Sequence, residues 1–199
     1  MDMKYDIRTE TKKDNKEVEK LTFAAFETME LPGREFTSEH FFVHLLRNDK
    51  TFIPELDFVI EVNGKIVGNI MYNRSSIITS DSVKDKVLAL AVLSVKPELQ
   101  KQGIGSGLIK HSMERAKELG YKAIVILGGH PEYYSRFGFA PASTFGLKWI
   151  DGSELDAFLA LELEEGYLGT EGGSWEFCDS IHTLMNEDAF NLYKVDFEK

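Results

Sequence analysis

The chain has 199 residues, with 33 acidic against 23 basic side chains, a net charge of −10, and 43% hydrophobic residues, among them 14 phenylalanines. This suits one well-filled domain and not a disordered chain, and the acidic balance argues against a nucleic-acid-binding surface, which wants clustered Lys and Arg, while favouring a cationic or amine-bearing substrate. The single cysteine, Cys178, excludes an internal disulfide framework, no Cys/His spacing suggests zinc, and no apolar run reaches the roughly 18 residues of a membrane span, so a metal-free cytoplasmic protein is expected.

Residues 3–9 read as an opening strand. Asp14 is placed to cap a helix whose Val18, Leu21, Phe23, Ala25 and Phe26 leave Glu17, Glu19 and Lys20 largely outward, and Leu31-Pro32-Gly33 interrupts it. A second helix, from Thr37 or Ser38, carries Phe41, Phe42, Leu45 and Leu46. Its His40 and His44 lie one turn apart, a spacing able to ligate a metal, but no third ligand is apparent and a helix-surface pair is expected. Two apolar runs, 57–62 and 66–73, the second extendable to Ile78, meet at the hairpin dipeptide Asn63-Gly64, and Thr79 to Ser82 turn the chain into the next strand.

The stretch that carries chemistry follows. Val87 to Val95 is apolar enough for a strand buried on both faces, and Ile104, Leu108, Ile109, Met113, Ala116 and Leu119 recur at helical spacing. Between them lies the glycine-rich turn Gln100 to Gly107. A helix start has N–H groups with no internal partner and a positive dipole end, so this turn is suited to an anion such as a phosphate. A dinucleotide fingerprint would need glycine where Leu108 stands, and a Walker loop is disfavoured because Gly64-Lys65 is followed by Ile66.

Gly120 ends that helix, and 122–127 form another buried strand. Gly128-Gly129-His130-Pro131 opens a short helix with Glu132, Tyr133, Tyr134 and Arg136, stopping near Phe137-Gly138-Phe139. Beyond lie Phe145 to Trp149, Ala157 to Leu163, a glycine-rich connection over 166–173 and a mixed last stretch. The best boundary, Asp151-Gly152, divides a core of residues 1–150 from a strand-rich extension, 151–199, packed on the same domain.

Gln100, Gly103 and Gly105, preceded by Val95-Lys96-Pro97, match Gln/Arg-x-x-Gly-x-Gly/Ala, and Tyr133 to Phe139 match aromatic-Tyr-x-Lys/Arg-x-Gly-Phe after the following strand. Together they resemble the GCN5-related N-acetyltransferases. With Phe158 to Leu163 the chain resembles a bacterial subgroup of predicted N-acetyltransferases with a carboxyl-terminal extension; in that subgroup the position of His130 is often acidic. The resemblance covers residues 3–149, most closely 87–141.

It implies an α/β acyl-CoA N-acyltransferase fold: a mixed, mostly antiparallel sheet, splayed at its parallel pair and flanked by helices. It further implies acetyl-CoA as co-substrate, with Gln100 and the backbone around Gln102, Gly103, Ile104, Gly105 and Ser106 at the pyrophosphate. Leu93 and Val95 would pair with the pantetheine arm as an added strand does, and the amide near Leu93 would polarise the thioester carbonyl. Tyr134 takes the position of the family's tyrosine acid, which protonates the leaving thiolate, while Tyr133 is expected to face the core. The acceptor is a primary amine that attacks directly. Its base is open between Glu27, Glu30, His130 and water, and Arg136 is structural or near the phosphates. A non-catalytic acyl-CoA sensor or an interaction module is the alternative, and a homodimer through the tail strands is compatible with either.

Overall fold

The computed structural model describes residues 4–27, 38–149, 152, 153, 155–176, 178–184 and 186–197. Among them nine strands form one sheet in the order β1-β2-β3-β4-β5-β8-β6, with β9 against β3 and β7 against β9. The strands are β1 (Asp6–Thr9), β2 (Phe58–Val62), β3 (Lys65–Ile78), β4 (Val83–Val95), β5 (Ala123–Leu127), β6 (Ala140–Pro141), β7 (Leu147–Lys148), β8 (Phe158–Glu162) and β9 (Gly173–Glu176). The helices are α1 (Asn15–Glu27), α2 (Glu39–Leu46), α3 (Ile104–Glu118), α4 (Pro131–Ser135), α5 (Ser180–Leu184) and α6 (Glu187–Phe197). No helix among the described residues is long and apolar enough to cross a membrane.

The Asn63-Gly64 dipeptide makes the expected hairpin, with both residues at positive φ, and β2, β3 and β4 run antiparallel in succession. Helix α3 covers one face: Ile104, Leu108 and Ile109 pack on Tyr72, Leu88, Leu90 and Ile124. On the other face Val18 and Leu21 of α1, Phe41, Phe42 and Leu46 of α2, and Phe190 and Tyr193 of α6 cover Val59, Met71 and Val92. This two-sided cover is why β4 reads as an almost unbroken apolar run.

β4 contains an irregularity that no apolar pattern announces. Met71 pairs with Val92 but Tyr72 pairs with Leu90, leaving Ala91 without a partner on β3. The bulge reverses the alternation. Before it Leu88 and Leu90 point toward α3; after it Leu93 and Val95 do, while Val92 and Ser94 turn toward α1.

β4 and β5 are parallel and pair only from Val87↔Ala123 to Ala89↔Val125. β5 stays paired with β8 along its whole length to Leu127↔Phe158, while β4 continues to Val95 paired with β3 but not with β5. The two strands therefore part, and Leu127 stands 46% exposed beside the opening. The sheet is the mixed, splayed, mostly antiparallel one expected.

Residues beyond 151 contribute β8 and β9 to the sheet and end in α5 and α6. One tie between that end and the rest is polar. Glu19, expected to point outward, is instead buried. Its Oε1 accepts from Arg47 Nη1 at 2.6 Å and lies 3.2 Å from His44 Nδ1, and its Oε2 accepts from the Tyr193 hydroxyl at 3.0 Å. Burial opposes its charge, but His44, Arg47 and Tyr193 hold its pKa below the ordinary value.

Arg47 also pairs with Glu10 at 2.6 Å, and Asp57 lies against Glu10 in the same buried cluster. Glu10 Oε2 and Asp57 Oδ1 have no donor among the described residues, an arrangement that one proton shared between the carboxyls satisfies. Burial, then the Glu10 charge, pushes Asp57 up to about 9. The folded protein thus keeps a proton that the unfolded chain loses above 3.8, and stability falls as pH rises between those values. Asp57→Asn, which donates without titrating, is expected to flatten this slope and to be the more stable protein at pH 8 by at least about 1.4 kcal/mol, one pK unit's worth. Urea denaturation from pH 5 to pH 8.5 reads it. Equal slopes for the two proteins would mean that no proton is shared.

Candidate functional site

The opening between β4 and β5 is bordered by the start of α3 and by α4. After β4 the chain makes a tight turn at Pro97–Leu99, and the Gln100 side chain donates to the Val95 carbonyl at 3.2 Å, holding the strand end. Gln102 likewise donates to the Glu98 carbonyl at 3.2 Å. Lys101 and Gly103 both adopt left-handed backbone, at φ 60° and 88°. Such a conformation is costly for lysine and free for glycine, and strained backbone of this kind gathers where a loop must aim its groups.

Gly103 stands at the N-cap of α3 and offers no side chain to cap it. The first-turn N–H groups, those of Ile104, Gly105 and Ser106 included, therefore lack the side-chain acceptor that serine or aspartate supplies in other helices. With the helix dipole behind them they form a seat for an anion. Leu93 and Val95 lie partly buried on the same side of the sheet, along the edge of β4 that β5 has left.

Tyr134 fills the base of the opening. Its ring occupies the space a side chain at Gly128 would need, since a Cβ there would meet Tyr134 Cε2 at 2.8 Å. Tyr133 and Phe139 flank it edge-on, with ring centroids at 5.2 and 5.8 Å. Burial, followed by the neighbouring Tyr133 and Tyr72 phenols, pushes its pKa well above the ordinary tyrosine value. The group is a protonated phenol at neutral pH.

Tyr133 packs against the core as expected, and its hydroxyl end also reaches across to α3. A Cβ built on Gly105 would meet the Tyr133 hydroxyl at 2.7 Å, and the Ser106 side chain engages that phenol. Arg136 lies over the Tyr133 ring at 4.5 Å and its Nε donates to the Tyr133 carbonyl at 3.2 Å. The signal was present as paired residues, two adjacent tyrosines and two glycines, but nothing in their spacing says which fills which gap.

The remaining candidates are not gathered here. Glu27 is an exposed helix end, and Glu30 lies outside the described residues. His130 has a side chain 62% exposed and lies 3.4 Å from Glu132. His40 and His44 are not a surface pair: His40 is buried among Phe23, Phe190, Tyr193 and Phe197, and burial lowers it to about 4, so it is neutral. Cys178 is buried beside α2 and α6. No group of three metal-binding side chains occurs among the described residues.

Residues 6–142 match the family described as Acetyltransferase (GNAT) domain. The chain is 34% identical over 110 residues to the uncharacterized N-acetyltransferase YjhQ of Escherichia coli strain K12, a match spanning 54% of this chain and 59% of that relative's length. Its structure is similar to the GNAT family N-acetyltransferase YhbS of Escherichia coli, crystallised in complex with CoA, at TM-score 0.77 and 25% identity over 90% of this chain and 93% of that one. It is also similar to a GNAT family acetyltransferase of Brucella melitensis, crystallised with acetyl-CoA, at TM-score 0.68 and 25% identity over 90% of this chain and 99% of that one.

Proposed function

The chain belongs to the GNAT acetyltransferase family, and from that premise we propose that it moves an acetyl group from acetyl-CoA to a primary amine by direct attack within a ternary complex. The observation that carries the reading is the uncapped, glycine-led start of α3 beside the parting of β4 and β5, with the protonated Tyr134 phenol at its base. The residues fit the donor. The N–H groups around Gln102 to Ser106 would hold the pyrophosphate, and the free edge of β4 at Leu93 and Val95 would pair with the pantetheine arm as an added strand does.

The bound donor supplies an acetyl thioester, activated toward amines. The chain supplies the rest: an amide near Leu93 aimed at the carbonyl oxygen, and the Tyr134 hydroxyl as acid for the departing sulfur. The ammonium form of the acceptor loses its proton to water or to one of Glu27, Glu30 and His130. We further assign residues 1–150 to the acyltransferase core and 151–199 to an extension of the same domain, a reading supported by β8 along β5 and by Tyr193 on Glu19.

Calorimetric titration with acetyl-CoA, followed by thiol release across a panel of primary amines, tests this. Saturable binding and amine-dependent release are expected. Binding with no release from any amine would favour a sensor, and no binding at millimolar acetyl-CoA would remove the donor site altogether.

A further inference from the structure

We propose that Tyr133 is a positioning residue of the donor site: its phenol takes the side-chain space of position 105 and thereby fixes the spacing between α4, which carries Tyr134, and the first turn of α3. The inference rests on the acetyl-CoA reading above and deepens it.

The motif at this turn admits glycine or alanine at position 105. Here the choice is removed by a neighbour. A Cβ on Gly105 would lie 2.7 Å from the Tyr133 hydroxyl, closer than real Cβ contacts come, while the next nearest group, Val95 Cγ2, is at an ordinary 3.6 Å. Gly103 differs in kind, since a Cβ there would meet nothing within 4 Å, so its glycine answers to backbone conformation and that of position 105 to the phenol.

The phenol has little room to swing aside. The guanidinium of Arg136 lies over the ring at 4.5 Å, Phe137 is edge-on at 5.5 Å and Tyr134 at 5.2 Å. At the far end the hydroxyl engages Ser106, whose N–H belongs to the anion seat. Tyr133 thus touches, in one side chain, the helix start that would hold the pyrophosphate and the ring that carries the acid. The adjacent tyrosines work as a pair, each lodged against its own glycine: Tyr133 at Gly105 and Tyr134 at Gly128. A larger residue at 105 must displace the phenol, and with it the ring packing that seats Tyr134.

The test is a double-variant cycle on the full chain, reading the acetyl-CoA dissociation constant by calorimetry and the thermal midpoint of each protein. Gly105→Ala is expected to weaken binding at least ~10-fold and Tyr133→Phe only by a few-fold. The double variant Gly105→Ala/Tyr133→Phe should return to the affinity of Tyr133→Phe alone, because loss of the hydroxyl frees the space for the methyl. If Gly105→Ala is too unstable to bind, recovery of both midpoint and affinity in the double variant supports the same conclusion. Three outcomes overturn it: Gly105→Ala binding like wild type, a double variant that binds as weakly as Gly105→Ala, or one that regains its midpoint but not its affinity. Absence of acetyl-CoA binding by the wild type is a separate result, which removes the donor reading itself.

Discussion

Gly103→Glu is expected to weaken acetyl-CoA binding more than about 100-fold, a loss of roughly 2.7 kcal/mol. The effect does not come from crowding, because a Cβ at this position meets nothing within 4 Å. Two causes act together. An L-residue at φ 88° is forced toward a conformation costing about 1–2 kcal/mol, and the new carboxylate enters the seat where the uncapped N–H groups await an anion. A carboxylate at a helix start is otherwise favourable to the fold, so the variant should stay folded while losing its ligand. Gly103→Asn, which tolerates the left-handed region and carries no charge, should bind within about tenfold of wild type. Calorimetry with a far-ultraviolet circular dichroism control separates these effects. A Gly103→Glu protein that binds acetyl-CoA as tightly as wild type would place the anion seat elsewhere.

Tyr134→Phe is expected to lower kcat for amine acetylation by about 10²-fold or more, the ordinary contribution of a positioned acid, while leaving the acetyl-CoA dissociation constant within a few-fold. The ring keeps its place, since the space over Gly128 and the contacts with Tyr133 and Phe139 do not involve the hydroxyl. Only the proton is removed. The raised pKa makes a second statement about pH: the neutral phenol is the form favoured by burial, so the acid stays protonated through the whole physiological range, and no fall in rate between pH 7 and pH 9 is assigned to its ionisation. Thiol release at saturating acetyl-CoA, measured with an amine the wild type accepts, reads both effects. Unchanged kcat would reassign Tyr134 to packing against the coenzyme.

Much of this is legible in the sequence alone. The hairpin at Asn63-Gly64, the doubly buried β4, the glycine-led α3 and the short helix after Pro131 each follow from local chemistry: positive φ at the turn, apolar runs, helical spacing, proline in a first turn. What was not legible depends on partners distant in the chain. Glu19 looked like an outward residue because its helix alone leaves it so. It is buried by His44 of α2, by Arg47 just past the end of that helix and by Tyr193, 174 residues away. Asp57 reads as an ordinary strand-edge carboxylate until Glu10 is folded against it. Tyr133 and Tyr134 are adjacent letters in a motif, and only the packing of α4 on α3 sends one to Gly105 and the other to Gly128. The bulge at Ala91 left no trace, since one small apolar residue among apolar neighbours interrupts no visible pattern.

That same bulge makes β4 sensitive to length in a way it is not to spelling. Ala91 works like an inserted letter in a two-letter code, changing the phase of everything downstream of it. Exchanging Ala91 for another small residue leaves the phase alone, whereas deleting it would restore plain alternation. Leu93, Ser94 and Val95 would keep the faces they have, with Ser94 at Thr22 under α1, because the bulge already seats them as though Ala91 were absent, whereas a residue inserted after Val92 without a second bulge would send Ser94 under α3 and Leu93 and Val95 against α1. A gain of length beyond Leu90 therefore acts through the phase of the strand, while the glycine-rich stretch 166–172, which lies in no strand, carries no such count.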